Sequence, residues 1–188
     1  QWQRDDKGNV PTRAYLQLGL SKNVGYTFDA TRPEGDRITS ISIDGASYDP
    51  AAKYRIGTFS FLAQGGDNFR VFTQGSNTKD SGLVDRDAWI DYLKAKSPLT
   101  PSFARHSVAA PALGSVKGGT EVTFTLGSLD LTSSGSPANT TVNVKLGAVS
   151  LGDFPVTAGS ATVKVTIPAG TVPGDHQLVA TASPSKTS

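Results

Sequence analysis

The chain has 188 residues, enough for one large domain or two small ones, each with a packed core. It holds no cysteine, which excludes disulfides and thiolate metal sites, and its formal net charge of +2 is too small and scattered for nucleic-acid binding. It holds no methionine, opens Gln1-Trp2-Gln3 and lacks any apolar run near the ~20 residues of a membrane span, so a processed chain or fragment without a spanning helix is expected.

Charge is uneven along the sequence. Residues 1–111 hold 14 of the 18 Lys and Arg and 12 of the 16 Asp and Glu, whereas 112–188 hold four of each and are rich in Thr, Ser, Gly and Val. That shift predicts two domains, 1–106 and 112–188, joined by a linker over 107–111 that ends Ala109-Ala110-Pro111.

Gln1 to Lys7 reads as the tail of a helix stopped by Gly8-Asn9 and Pro11, and Trp2 as a packing residue. Tyr15 to Leu20 alternates and predicts a short strand, as does Tyr26 to Asp29. Pro33 and Gly35 then make a turn, and Arg37 to Ile43 is a strand closed by the tight pair Asp44-Gly45. Tyr54 to Phe59 is another predicted strand, and Val71-Phe72 continues as strand beyond the loop that follows it. Asp85 reads as the N-cap of a helix with Asp87 in its first turn, Lys94 and Lys96 in its last and Ser97-Pro98 as its stop. Trp89, Tyr92 and Leu93 fall at i, i+3 and i+4 and are expected to face the core, so the first domain is α+β. In the second, Val122/Phe124/Leu126, Val142/Val144/Leu146 and Val163/Val165/Ile167 alternate with polar residues between glycine turns, which predicts an all-β sandwich.

The chemistry-bearing stretch is Phe59 to Phe69. Aromatic residues precede Gly65-Gly66, then come Asp67, Asn68 and another aromatic. A glycine pair lets backbone turn sharply or approach a ligand, rings offer a flat apolar surface, and a carboxylate accepts from hydroxyls. Such a pattern suits a planar heterocycle bearing hydroxyls. A Gly-Gly-Asp sequence also occurs as a plain turn between strands, and these residues alone leave the two readings open.

Several stretches together decide between them. Tyr15-Leu16-Gln17-Leu18-Gly19, Tyr26-Thr27-Phe28-Asp29 with Arg32-Pro33-Glu34-Gly35-Asp36-Arg37, Tyr54 to Phe59, Phe61 to Phe69, and Asp80 to Asp85 leading into Asp91-Tyr92-Leu93 resemble, in order and spacing, the C-terminal domain of the 5'-nucleotidase family. In that family two rings sandwich the nucleobase and an acid after the glycine pair binds the ribose. The resemblance puts one ring on Phe61, the acid on Asp67, and the turn on Gly65, Gly66 and Asn68, where the family often has glycine at the last of these. Tyr15 and Gln17 read as ordinary strand residues. The resemblance further implies that the domain is truncated at its N-terminus. The first ring, the phosphate-reading arginines and an N-terminal metallophosphoesterase domain with two divalent metal ions would all precede Gln1.

On that reading this chain binds nucleoside or nucleotide, binds no metal of its own and is inactive alone. The parent would be a secreted or cell-surface hydrolase. Residues 112–188 resemble, more loosely and around Gly118-Gly119-Thr120-Glu121-Val122-Thr123, the immunoglobulin-like modules of bacterial surface proteins, which implies contact with the cell envelope. A cyclic-nucleotide or nucleotide-sugar hydrolase of the same family, and a non-catalytic adhesion module, are the alternatives. His106 and His176 read as surface residues, Asp85, Asp87 and Asp91 as helix partners rather than metal ligands, and Asn139-Thr140-Thr141 as a formal glycosylation sequon.

Overall fold

In the computed structural model, which describes residues 4–12 and 16–188, the chain divides into two units, Gln1–Ser97 and Pro98–Ser188. The first unit carries an antiparallel sheet of strands β1 (Val24–Phe28), β2 (Ile38–Ile43) and β3 (Ala46–Ser47), in that order. Tyr26 pairs with Ile41 and Val24 with Ile43. The bend between β1 and β2 is closed by Asp29 N–H donating to the Arg37 carbonyl (2.9 Å) and Asp36 N–H to that of Pro33 (3.1 Å). Between β2 and β3, Asp44 (φ 52°) and Gly45 (φ 79°) are both left-handed, the turn whose twist matches a hairpin.

Other expectations for this unit are corrected. Leu16 to Leu20 forms no strand, and Tyr15, like Trp2, lies outside the described residues. Arg4 to Asn9 is a turn and not a helix tail: Asn9 N–H donates to Asp5 Oδ1 (2.7 Å) and Gly8 N–H to the Asp5 carbonyl (3.0 Å). Tyr54 to Phe59 joins no ladder, because an alternating segment becomes a strand only when a neighbour takes up its backbone groups. Val71 and Phe72 lie in a 3-10 segment, Arg70–Gln74.

Helix α2 (Asp85–Lys96; the single-turn α1 is described below) forms where expected, but Val84 holds the N-cap position. Asp85 is its first helical residue and accepts from Arg86 N–H through Oδ1 (2.7 Å). Acids still open the helix and lysines close it, as its dipole favours. Trp89, Tyr92 and Leu93 do not face a core; all three are exposed.

The second unit is all β. Strands β4 (Glu121–Leu126) and β7 (Ala161–Thr166) form one antiparallel sheet; β6 (Val149–Pro155), β5 (Thr141–Leu146) and β8 (Leu178–Ser183) form another, with β5 central. Their inward residues meet in one core: Phe124, Leu126, Val163 and Val165 from the first sheet, Val142, Val144 and Ala182 from the second. Alternation puts these side chains on one face of each strand and leaves Thr123, Thr125, Thr162 and Lys164 outside.

The expected boundary at 106 and the linker at 107–111 fall inside this unit. Ala109 exchanges backbone hydrogen bonds with Gly127 (2.9 and 2.8 Å), and Arg105 donates its N–H to Thr187 Oγ1 (2.9 Å) and its Nη1 to the Asp130 carbonyl (2.8 Å). Continuing that pairing would set Pro111 opposite Thr125. Proline has no N–H to give, so the segment peels away from β4. An open groove of about 550 Å³ results, between Ala109–Leu113 and Val122–Thr125.

Candidate functional site

Residues 60–74 fold as three short turns in succession. Helix α1 (Ser60–Ala63) is one turn long, held by Ala63 N–H to the Phe59 carbonyl (2.9 Å) and Gln64 N–H to that of Ser60 (3.1 Å). Gly65 ends it in the left-handed region at φ 85°, the cap that glycine supplies without a Cβ clash. The 3-10 turn Gly66–Asn68 follows, with Asp67 (φ 52°) and Asn68 (φ 62°) both left-handed as well. Two consecutive non-glycine residues in that region store local strain, tolerable for Asp and Asn because their short polar side chains bond locally. Asn68, at the position where the family often has glycine, is thus left-handed, and Asp67 shares that conformation.

Phe61 and Gly66 are in intimate contact. A Cβ built on Gly66 would lie 2.5–2.6 Å from three atoms of the Phe61 ring, so the ring rests directly on the glycine backbone. Its remaining surface is open; the residue is 57% exposed. Asp67 is the next residue after that support and is also exposed. Phe61, Gly65, Gly66, Asp67 and Asn68 thus lie on one short stretch, with both the Phe61 ring and Asp67 exposed.

Two residues to which the sequence assigned no role hold this stretch in place. Phe69 is 5% exposed and packs at 6.3 Å, ring to ring, on Phe72, which anchors the loop. Arg70 donates through Nη2 to Asn68 Oδ1 (3.4 Å), and its carbonyl accepts from Thr73 Oγ1 (2.8 Å). The Asp5 carboxyl is held below its ordinary value, chiefly by the Asn9 backbone and side-chain amides.

The turn at 4–9 is tied elsewhere too. Arg4 donates through Nε and Nη2 to the Glu34 carboxylate (3.1 and 2.7 Å), and that contact is the main reason the Glu34 carboxyl sits below its usual value. A lowered carboxyl value means the contact is fully present above the ordinary Glu range and is lost as pH falls through the folded value. An NMR titration following the Glu34 carboxyl carbon should give a midpoint below about 4.3, with Arg4 Hε protection lost in the same step. A midpoint at or above that value would contradict the pairing.

Elsewhere His106 and His176 are exposed and stand apart in sequence. Among the described residues no three His, Asp or Glu side chains gather into a metal-binding group.

Residues 2–74 match the family model described as 5'-nucleotidase, C-terminal domain. The matched stretch lies within the first unit, which is similar to the C-terminal domain of that family. The chain is also similar to curated proteins: an apyrase of Tabanus yao is 39% identical over 85 residues, 41% of this chain and 15% of the apyrase. The trifunctional nucleotide phosphoesterase protein YfkN of Bacillus subtilis is 33% identical over 76 residues, 38% of this chain and 5% of YfkN. Protein UshA of Salmonella pullorum is 33% identical over 86 residues, 46% of this chain and 14% of UshA. The chain thus spans at most about a sixth of the length of these three relatives. No solved structure gives a significant match.

Proposed function

We propose that this 5'-nucleotidase-type chain is the C-terminal, nucleoside-recognising part of a secreted or surface-attached nucleotide phosphohydrolase. Phe61 stacks on the base and Asp67 accepts from the ribose hydroxyls. The observation that carries this is the seating of the Phe61 ring on Gly66, the residue just before the exposed Asp67; the glycine supports the ring on one side and leaves Phe61 57% exposed. Stacking on an aromatic contributes about 1–3 kcal/mol per base and tolerates different bases, and a carboxylate bonds to hydroxyls with charge-assisted strength.

The family match and the names of the relatives, an apyrase and a nucleotide phosphoesterase, support the substrate class. On this reading the two divalent metal ions that the family implies, and hydrolysis with them, are assigned to an N-terminal metallophosphoesterase domain of the parent. The second unit, two small sheets around one core, is read as an immunoglobulin-like module that holds the parent at the cell envelope.

Adenosine titrated into this chain should give saturable aromatic shifts with a Kd on the order of 1 mM, near the −4 kcal/mol that one stack and one carboxylate can supply. Phe61→Ala should weaken binding about 5- to 150-fold, which places it beyond detection, and Asp67→Asn should weaken adenosine more than its 2',3'-dideoxy analogue. Shifts that survive Phe61→Ala unchanged would overturn the assignment.

A further inference from the structure

Helix α2 leaves its apolar side in water. Trp89, Tyr92 and Leu93, which share one side at i, i+3 and i+4, are all exposed, Trp89 by 64%, as is Ile90. Asp87, Asp91 and Lys94 fall on the other side, and Asp85, Arg86 and Lys96 flank the apolar residues at the helix ends. Trp89 and Tyr92 meet edge to face with centroids 6.3 Å apart, so the aromatic surface is continuous. Leu83 and Val84, which lead into the helix, are exposed as well. Among the described residues of this unit, Phe69 is the one apolar side chain that is buried. A helix of 12 residues is marginal by itself, and in proteins such helices are held by docking their apolar side.

We propose that the apolar side of α2 is a docking face for polypeptide N-terminal to residue 1 in the parent protein. The proposal rests on the reading that this chain is the C-terminal part of a longer hydrolase. Length argues for that occupant: the aligned stretch is 15% of the apyrase and 14% of UshA, so the greater part of those chains lies outside the region this one shares. Charge argues against a lipid surface. Asp85, Asp87 and Asp91 balance Arg86, Lys94 and Lys96, which gives the helix no net attraction to anionic headgroups. Docking there would bury Trp89, Tyr92 and Leu93 in one step and tie the recognition loop's own unit to the part of the parent that does the chemistry.

Hydrogen exchange read on the α2 peptide tests this, in the present chain and in the longer product of the same gene, with phosphohydrolase activity of the longer product measured alongside. The α2 amides should exchange quickly in this chain and at least about 100-fold more slowly in the longer one. Leu93→Asp in the longer chain should restore fast exchange. Fast α2 exchange in an active longer protein would overturn the docking and leave the functional reading standing. Slow exchange in a longer protein with no such activity would support the docking and overturn that reading. Slow exchange already in this chain, growing with its concentration, would overturn the proposal in favour of a second copy as the occupant.

Discussion

Asn139→Ala is expected to destabilise the second unit by about 2–4 kcal/mol. Asn139 is 4% exposed and uses its whole carboxamide. Nδ2 donates to the Leu129 carbonyl (2.9 Å) and to Asp130 Oδ1 (2.8 Å), while Oδ1 accepts from Ser185 N–H (3.0 Å). Alanine would leave the Leu129 carbonyl and the Ser185 N–H unpaired and out of reach of water, at about 1–3 kcal/mol each. The loss would spread, because Ser185 Oγ shares a hydrogen bond with Thr187 Oγ1, and that hydroxyl receives the Arg105 N–H.

One carboxamide thus joins the loop after β4 to the residues after β8 and, through them, to the segment that enters the unit. Neither tryptophan lies in this unit, so urea unfolding is best followed through the NMR signals of β4 and β5. Asn139 also opens the sequon, yet the nitrogen a glycan would occupy already makes one buried and one half-buried hydrogen bond, and the folded chain disfavours that modification. Thr141→Ala removes the sequon at an exposed position and should cost under about 1 kcal/mol. Equal stability of the two variants would refute the network's role.

Legibility in the sequence followed the range of the interactions. Strands β4, β5 and β7 could be read because each buries every second residue, a pattern local to six residues. Strand β6 was missed: a register shift opposite Val144/Lys145 and Gly152 at φ 127° break its alternation. The turn at Asp44-Gly45 was legible because its chemistry lies in two adjacent residues. Tyr54 to Phe59 has the same alternation as a strand, but pairing is a property of the neighbour and no local pattern reports it. Trp89, Tyr92 and Leu93 show the converse. Their spacing fixes which side of α2 is apolar and says nothing about what covers it. At the candidate site, residue types were legible and contacts were not: nothing in Phe61 to Phe69 reveals that the ring folds back onto Gly66.

That contact makes Gly66→Ala the sharpest probe of the site. A methyl there would stand 2.5–2.6 Å from Cζ, Cε1 and Cε2 of Phe61, closer than real Cβ atoms approach any heavy atom. Gly66, unlike Gly65, is outside the left-handed region, so the substitution adds no backbone strain and acts through the ring alone. Overpacking of this kind costs about 1–3 kcal/mol when the surroundings are rigid. Here Phe61 sits on a single helical turn, and the expected response is displacement of the ring from its seat. Loss of the stack would weaken adenosine binding about 5- to 150-fold, enough to remove saturable shifts from a millimolar half-site.

Gly57→Ala, with open space around its Cβ and ordinary φ, should bind as the parent chain does. If both act through the ring, Gly66→Ala combined with Phe61→Ala should be no weaker than Phe61→Ala alone, a coupling that independent sites do not show. Because these losses would otherwise leave nothing to measure, the cycle should be run with adenosine tethered to the chain, so that residual affinities stay in range. Additive losses would mean that Gly66 shapes the loop for some purpose other than seating Phe61, and the stacking assignment would fall with it.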